Sequence, residues 1–375
     1  DALIARFTPD PQTKIAIAVS GGSDSVALLL LAHAWAQRSE RKLCVFTVDH
    51  GLRPEAKDEA KWVEALCTRL DLEHKTLVWA EPKPTQNAAR QARYTLLCEA
   101  MWESGASTIL VGHTQDDVLE TALMRRRRGR RDSFIAGPAL ASPAPVWPYG
   151  RDITVVRPLV FQTRSALRNY LARSNQDWVD DPSNENEIFE RIAVRKTLLR
   201  HPTLKALAMR KAQRLQFERM AEDHHLGAAL AKCGVHPDGL IETPNDDVPD
   251  RLLAILARCA SGSDREPRAE AIRTLRATIR QTGQRQTLGG AWFQKTRSGY
   301  LIGRDPVGDF TSDSAGLFDG RFKVASFAQL PDPEDQAFLV RHASPPGAHW
   351  REVISERLAH LAHCYQTPRR NPVQT

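Results

Sequence analysis

The sequence predicts an α/β protein, in which a parallel sheet covered by helices is followed by a helical domain and a short α+β C-terminal region. Two observations predict this fold class. Apolar, β-rich runs alternate with helical patterns over the first half, which is typical of a parallel sheet with helices on both faces. The second half instead carries Lys and Arg at helical spacing, and then short strand-like runs joined by glycine turns.

The predicted sheet begins with four strands, and three helices fill the gaps around them. The strands are predicted at Ile15–Val19, Leu43–Val48, Lys75–Trp79 and Thr108–Val111. The helices are predicted at Asp24–Arg38, Glu55–Leu70 and Gln86–Ser104, and Gly105 closes the last one. In sheets of this kind ligands bind at the carboxyl ends of the strands, so a functional site is expected at that edge.

The rest of the chain divides at about residue 200. Residues 136–151 are rich in proline and predict a loop, after which "ITVVRPLV" predicts one more strand and residues 163–174 a helix. This interpretation gives three domains, at residues 1–200, 201–285 (helical) and 286–375 (small, with short strands). Near the C-terminus, "ERLAHLAHCY" predicts a final helix.

Composition narrows the class of protein. The chain has 375 residues, 42% hydrophobic and 26% charged, which suits a globular protein with two or three cores. No run approaches ~18 uninterrupted apolar residues and no signal-peptide pattern opens the chain, so we expect no membrane partner. The six cysteines never form a CxxC pair, which favours a cytoplasmic location. The net charge of +7 favours a polyanionic partner.

The segment "KIAIAVSGGSDSVALLLLAHAW" places a glycine turn between a strand and a helix. Backbone N–H groups and the positive end of a helix converge in such a turn and form an anion site. The chain contains no Gly-Lys pair, and no GxGxxG follows a strand, so the ordinary P-loop and dinucleotide motifs are excluded. A serine-rich βα turn without a ligand is the alternative for this segment taken alone.

Polar clusters also follow two other predicted strands, at "DHGLR" and at "GHTQDDVLET". Three clusters at one edge of a sheet predict a site better than any one of them. In the last cluster Asp116, Asp117 and Glu120 lie near one another at a helix start, where Thr114 and Asp117 also fit a capping box. Unpaired carboxylates repel, so we expect a divalent metal such as Mg²⁺, a substrate ammonium or a nearby Arg between them.

At this point the motifs resemble a known family. "SGGSDS" after a strand resembles the PP-loop of the N-type ATP pyrophosphatases, and with "DHGLR", "ARQARY", "GHTQDDVLET", "RPLV" and "WVDDPSN" the set resembles bacterial tRNA(Ile)-lysidine synthases. The resemblance covers roughly residues 12–200 and implies a Rossmann-like PP-loop ATPase domain. It also implies the reaction: ATP adenylates O2 of the wobble cytidine in tRNA(Ile) with a CAU anticodon, and free L-lysine attacks C2 to give lysidine with release of AMP and pyrophosphate.

The resemblance implies a role for each matching residue. ATP binding is implied for Ser20, Gly21, Gly22, Ser23, Asp24, Ser25, Asp49, His50 and Arg90. Catalytic roles are implied for Asp24, Arg93, His113, Asp117 and Glu120. His113 and Arg93 would stabilise charge on the α-phosphate, and Asp117 and Glu120 would bind lysine, with Asp117 also a candidate general base. Asp24 and Asp116 would hold Mg²⁺.

Two segments depart from the family pattern, and both lie on the side expected to meet lysine and tRNA. "MRRRRGRR" replaces a glycine-rich segment, and Ile192 replaces an Asn in "FERIAVRK". RNA-binding residues are predicted in both, at Arg125, Arg126, Arg127, Arg128, Arg130, Arg131, Arg191 and Arg195. Basic helices from Lys205 to Arg219 are predicted either to cradle a tRNA stem or to form a solvated face.

Other interpretations stay open at this stage. One is a paralogous PP-loop enzyme that adenylates a different RNA or a small molecule, with another amine or a sulfur nucleophile; the lack of a CxxC pair argues against a thiolase. Another is an RNA-binding protein with an inactive catalytic shell, against which all three clusters keep their functional side chains. The oligomeric state, including a homodimer, is left open.

Overall fold

The computed structural model describes residues 2–8, 10–51, 55–82, 85–127, 137–180, 194, 198, 200, 202–236, 239–245, 247–263, 265–305, 317–318, 321–324 and 350–365. The chain forms two compact units. The first comprises Asp1–Ala144, Ile153–Asp223 and Thr367–Thr375, and the second comprises Pro145–Asp152 and His224–Gln366. This division concerns compactness and not independent folding, so the three domains predicted from the sequence stay a prediction.

A six-stranded sheet forms the centre of the first unit. Its strands are β1 (Ile15–Ala18), β2 (Leu43–Asp49), β3 (Glu73–Val78), β4 (Thr108–Val111), β5 (Ala141–Pro143) and β6 (Thr154–Val156), in the order β3-β2-β1-β4-β6-β5. All neighbours are parallel except β5, which is antiparallel to β6. The strand order reverses direction at β1, between β2 and β4, and this is where open α/β sheets bind ligands.

Seven helices are described that begin within the first unit. They are α1 (Ala2–Phe7), α2 (Ser23–Arg38), α3 (Ala56–Arg69), α4 (Gln86–Ser104), α5 (Gln115–Arg127), α6 (Arg164–Arg173) and α7 (Pro202–Leu230). Local sequence explains their ends: Thr85 accepts a hydrogen bond from the Ala88 N–H at the start of α4, and Gly105 ends that helix at φ 73°. The predicted helix bounds are therefore confirmed to within a few residues.

The core of the first unit lies against β1. Ile15 and Ile17 are fully buried, because β1 has strands on both sides and helices over both faces. Leu28 and Leu29 of α2 belong to the same apolar cluster. A central strand of this kind has no solvent-facing side, which is why "IAIA" carries no polar residue.

The structure corrects one predicted loop. Residues 136–151 contain β5, which pairs with β6 through Ala141 and Val156. The run is too short for a periodic pattern, and Pro143 argues against a strand except at a sheet edge, which is where β5 lies. Helix α1 was not predicted either, since six residues give too few turns to show an apolar face.

In its described residues, the second unit contains an antiparallel five-stranded sheet and three helices. The strands are β7 (Gly234–Val235), β8 (Ile241–Glu242), β9 (Gln286–Leu288), β10 (Ala291–Lys295) and β11 (Tyr300–Arg304), in the order β7-β8-β11-β10-β9. A further sheet comprises β12 (Leu317–Phe318), β13 (Phe322–Val324) and β14 (Trp350–Glu352). The helices are α8 (Asp250–Ser261), α9 (Ala269–Thr282) and α10 (Ile354–Tyr365). This confirms the predicted helical and α+β character of the second half.

Helix α8 supplies much of the core of the second unit. Leu252, Leu256 and Cys259 are almost fully inaccessible, and they share one apolar cluster with Phe293 and Ile302 of the sheet. Within the described ranges, none of the helices combines the length and the apolarity needed to cross a membrane.

Candidate active site

The glycine turn between β1 and α2 has the backbone geometry of an anion site. Gly21 adopts φ +85°, and Gly22 is the N-cap of α2 in an extended conformation without a side-chain cap. The Ser25 hydroxyl turns back into the loop, where it donates to the Gly22 carbonyl at 2.9 Å and accepts from the Ser20 N–H at 3.2 Å. The loop therefore presents the first turn of α2 and its serines on the carboxyl side of β1.

A later segment of the chain braces this loop. The Val179 N–H donates to the Gly21 carbonyl at 3.0 Å, and a Cβ atom on Gly21 would lie 3.3 Å from a methyl group of Val179. Arg168 of α6 contacts both segments, since it lies 3.4 Å from the Ser23 hydroxyl of the loop and 3.3 Å from Asp180, which follows Val179. Position 21 therefore favours glycine for two reasons, its positive φ and the close packing of Val179.

The polar cluster that follows β4, in "GHTQDDVLET", begins where β4 approaches the start of α2. A Cβ atom on Gly112 would lie 3.1 Å from the backbone of Asp24, so glycine allows the two elements to meet. The capping box predicted at α5 is confirmed: Thr114 donates to Asp117 Oδ2 from its N–H and its hydroxyl, each at 2.8 Å. The motif "GHTQDDVLET" therefore lies beside the glycine turn.

One arginine links the carboxylates of these two motifs. Arg164 Nε lies 2.9 Å from Asp24, and its terminal nitrogens lie 3.4 Å from Asp117 and 3.6 Å from Glu120. The Arg164 N–H donates to Asp116 at 2.8 Å. Lys205 of α7 lies 3.2 Å from the other oxygen of Asp116. In this structure, cations of the chain itself, Arg164 and Lys205, thus offset the repulsion between these carboxylates.

Burial and these charges act on the acids in different ways. Burial alone would raise the pKa of Asp117, but the Arg164 charge and the two Thr114 hydrogen bonds hold it below its ordinary value. At Asp24 burial prevails over Arg164, and the pKa is raised. The carboxylates in turn raise the pKa of Arg164 despite its burial, so it stays charged.

A second group of cations surrounds Tyr94 on α4. The guanidinium groups of Arg90 and Arg93 lie 5.0 Å and 5.3 Å from the centre of the buried Tyr94 ring. Arg157 is buried and donates to the Ala139 carbonyl at 2.9 Å. Burial, followed by the charge of Arg157, lowers the pKa of His113 to about 3. His113 is therefore a neutral imidazole near pH 7 and not a cation.

The polar cluster that follows β2 is held by contacts of Asp49 and His50. Asp49 is buried and accepts from the Gly51 N–H at 2.8 Å, which shapes the turn that follows the strand. The His50 ring meets Trp79 edge to face, with 6.3 Å between ring centres. Trp79 was not predicted as a site residue, although its position at the end of β3 marked it as a rim residue.

The predicted RNA-binding arginines are only partly described. Arg125, Arg126 and Arg127 lie in the last turn of α5, where the last two are exposed. The other predicted RNA-binding residues lie outside the described residues, namely Arg128, Arg130, Arg131, Arg191 and Arg195.

Sequence reasoning missed Arg164 and did not place Lys205 at the site. Arg164 is the first residue of α6, where a cation opposes the helix dipole, and that mismatch was a readable signal of an acidic partner. The basic helices from Lys205 to Arg219 were predicted either to cradle a tRNA stem or to form a solvated face, and Lys205 lies against Asp116. Among the described residues no three acidic, His or Cys side chains are placed to hold a metal ion, so Mg²⁺ at Asp24 and Asp116 stays a prediction.

Comparison with known proteins identifies the family. The PP-loop domain family matches residues 2–202 of the chain. The tRNA(Ile)-lysidine synthase of Hyphomonas neptunium is 38% identical over 286 residues, which are 74% of this chain and 78% of that protein. The chain belongs to the tRNA(Ile)-lysidine synthase family. The family member from Rhizobium meliloti is 35% identical over 338 residues, covering 84% of this chain and 73% of its own length.

Membership of the tRNA(Ile)-lysidine synthase family confirms the resemblance predicted from the motifs. The chain is accordingly a PP-loop enzyme of the ATP-using, tRNA-modifying class. A U34-tRNA thiolase, NcsA from Methanococcus maripaludis, has a TM-score of 0.44 and 16% identity over 57% of this chain and 78% of its own. That likeness is too remote to carry an argument about chemistry.

Proposed function

We propose that this enzyme adenylates O2 of the wobble cytidine in tRNA(Ile) with a CAU anticodon and joins free L-lysine to C2, releasing AMP and pyrophosphate. The observation that carries the proposal is the meeting of Asp24, from the glycine turn, with Asp117 and Glu120 around one guanidinium. The proposed anion site and the proposed cation site would thus lie side by side. The reaction needs both, because ATP is an anion and the lysine side chain is a cation.

At the ATP end, the glycine turn would bind the pyrophosphate part of ATP. The Ser20, Ser23 and Ser25 hydroxyls and the first turn of α2 supply donors. Arg90 and Arg93 lie one turn apart on α4 and supply charge for the α-phosphate, while neutral His113 supplies an N–H donor. The Asp49–Gly51 turn and His50 would border the adenosine.

The donor set also suits Mg²⁺, which prefers oxygen ligands. Asp24 and Asp116 would hold the ion through carboxylate oxygens, and both already lie against cations in this structure, Asp24 with Arg164 and Asp116 with Lys205. A bound Mg²⁺ would neutralise part of the phosphate charge.

Adenylation explains why the reaction uses ATP. The C2 oxygen of cytosine is a poor leaving group, and it becomes part of a good leaving group, AMP, once it is bonded to the α-phosphate.

At the lysine end, Asp117 and Glu120 would bind the substrate ammonium. Their side chains are only 11% and 2% exposed, so their attraction for a cation is little screened by water. The lowered pKa of Asp117 suits binding of an ammonium better than removal of its proton. We therefore assign Asp117 to binding in preference to the general-base role.

The test is one reaction with ATP, Mg²⁺, radiolabelled lysine and unmodified tRNA(Ile) carrying CAU, followed by nucleoside mass analysis at the wobble position. Lysidine is expected, and its loss in Asp24→Ala would tie the product to this site. Conversion of ATP to AMP and pyrophosphate without label in the tRNA would refute the proposal. That result would favour a paralogue with another nucleophile or another RNA.

A further inference from the structure

Arg164 contacts three of the carboxylates that the proposed reaction uses. Its guanidinium reaches Asp24 at 2.9 Å, Asp117 at 3.4 Å and Glu120 at 3.6 Å. We propose that Arg164 is a positioning residue that holds Asp117 and Glu120 at the separation a substrate ammonium needs, and thereby sets the affinity for lysine. This inference rests on the proposed function, because it concerns the amine site of that reaction.

The burial of the two acids makes such a residue necessary. Glu120 is 2% exposed and Asp117 is 11% exposed at the side chain, so neither charge is well solvated. Two buried carboxylates repel, and without a cation between them they would separate. A guanidinium is planar and rigid, so two of its nitrogens hold two carboxylates in a fixed geometry, whereas the donors of a lysine ammonium rotate on a flexible chain.

The position of Arg164 is itself fixed by contacts that do not involve the amine site. Its backbone N–H donates to Asp116 at 2.8 Å, and Thr163 caps the helix that begins with it. Asp117 is fixed from the other side, since its Oδ2 accepts both hydrogen bonds from Thr114 and leaves Oδ1 toward Arg164. The carboxylates are therefore held between two structural elements, α5 and α6.

The contact with Asp24 distinguishes a positioning residue from a placeholder that the substrate displaces. Arg164 Nε lies 2.9 Å from Asp24, which is nearer than its terminal nitrogens lie to Asp117 and Glu120, at 3.4 Å and 3.6 Å. The shortest of these contacts is therefore with the acid outside the amine site, so Arg164 can stay in place while lysine binds. A carboxylate oxygen has more than one acceptor lone pair, so Asp117 and Glu120 can accept from a substrate ammonium in addition to Arg164.

The experiment measures lysine use and ATP use separately, in the whole 375-residue chain. One assay is lysidine formation with a lysine titration, and the other is ATP–pyrophosphate exchange with ATP and unmodified tRNA but no lysine. For Arg164→Gln we expect the KM for lysine to rise about tenfold or more, which corresponds to about 1.4 kcal/mol. Exchange reports on the Asp24 contact and should fall less than lysine use, because Asp24 is also placed by α2 and contacts Ser23 at 3.4 Å.

Two further variants keep the test specific. Arg164→Lys keeps the charge without the rigid fork, so we expect a KM for lysine between those of the wild type and Arg164→Gln. Arg173→Gln is the matched control, because Arg173 is an exposed arginine at the other end of α6, and its KM should equal that of the wild type. In an Asp117→Asn background the Arg164→Gln change should raise the KM much less than in the wild type.

The outcomes separate the inference from the function on which it rests. A KM for lysine that is unchanged or lower in Arg164→Gln overturns the inference, as does an equal loss of exchange and of lysine use. A fully additive effect in the Asp117→Asn background also overturns it. If the wild type forms no lysidine, the proposed function fails first, and the inference fails with it.

Discussion

Replacement of Gly21 by alanine should weaken ATP binding, and the structure gives the size of the effect. Gly21 lies at φ +85°, and the added Cβ atom would lie 3.3 Å from the Val179 side chain, which is tighter than ordinary contact. The left-handed conformation costs a residue with a Cβ about 1–2 kcal/mol. If the loop leaves its conformation to relieve this strain, ATP must restore it, and the KM for ATP should rise about 5- to 30-fold.

The assay is ATP–pyrophosphate exchange over a range of ATP concentrations, with Gly105→Ala as the matched control. Gly105 has nearly the same φ, +73°, but its added Cβ would have no neighbour within 4 Å. Gly105→Ala should therefore lower the free energy of unfolding by about 1 kcal/mol and leave the KM for ATP unchanged. A normal KM for ATP in Gly21→Ala would refute the view that this turn binds ATP in the conformation described.

Three further predictions concern the second unit, the RNA contact and helix α6. Burial lowers the pKa of His360 to about 4, below its ordinary 6.5, so the unfolded chain takes up this proton first as the pH falls. The free energy of unfolding should thus drop by about 2 kcal/mol between pH 7 and pH 5. Urea unfolding at both pH values should show a smaller drop in His360→Gln, whereas the control His225→Gln, at an exposed position, should keep the full drop. The double variant Arg126→Gln, Arg127→Gln should lower the slope of log K for tRNA against log salt by about 0.7–0.9 per lost phosphate contact, and an unchanged slope would exclude these two residues from the RNA contact. Thr163→Ala removes the hydroxyl that accepts from Ala166 at 3.2 Å, so it should cost about 1 kcal/mol in urea unfolding, and no loss would show that α6 does not depend on this cap.

Much of the first unit was predictable because its signals are local. The strand runs, the capping Thr85 and the terminal Gly105 each act within a few residues, and the structure places them within a few residues of the predicted bounds. The capping box of Thr114 and Asp117 is local in the same sense. The parts that failed, α1 and β5, are six and three residues long, too short for a periodic pattern to develop.

The candidate site was predictable only as a set of residue types at one edge of the sheet. Parallel strands end on the same side, so the order of the motifs along the chain predicts that Asp24, Asp49 and Asp117 lie at one rim. The ionisation of those groups was not predictable. The lowered pKa of His113 depends on burial and on Arg157, neither of which its own segment reveals.

Periodicity and spacing are properties of short segments, so the fold class and the acids at the rim could be predicted from the sequence, and the resemblance of the motifs indicated the family. The cation that pairs with those acids could not be predicted, because it depends on how distant segments pack. Arg164 lies 140 residues from Asp24 along the chain, yet its Nε is 2.9 Å away. Such a contact arises because the sheet order brings α6 beside α2, and no local pattern encodes a distance across the fold. The same reason explains why the contact of Lys205 with Asp116 was not predicted.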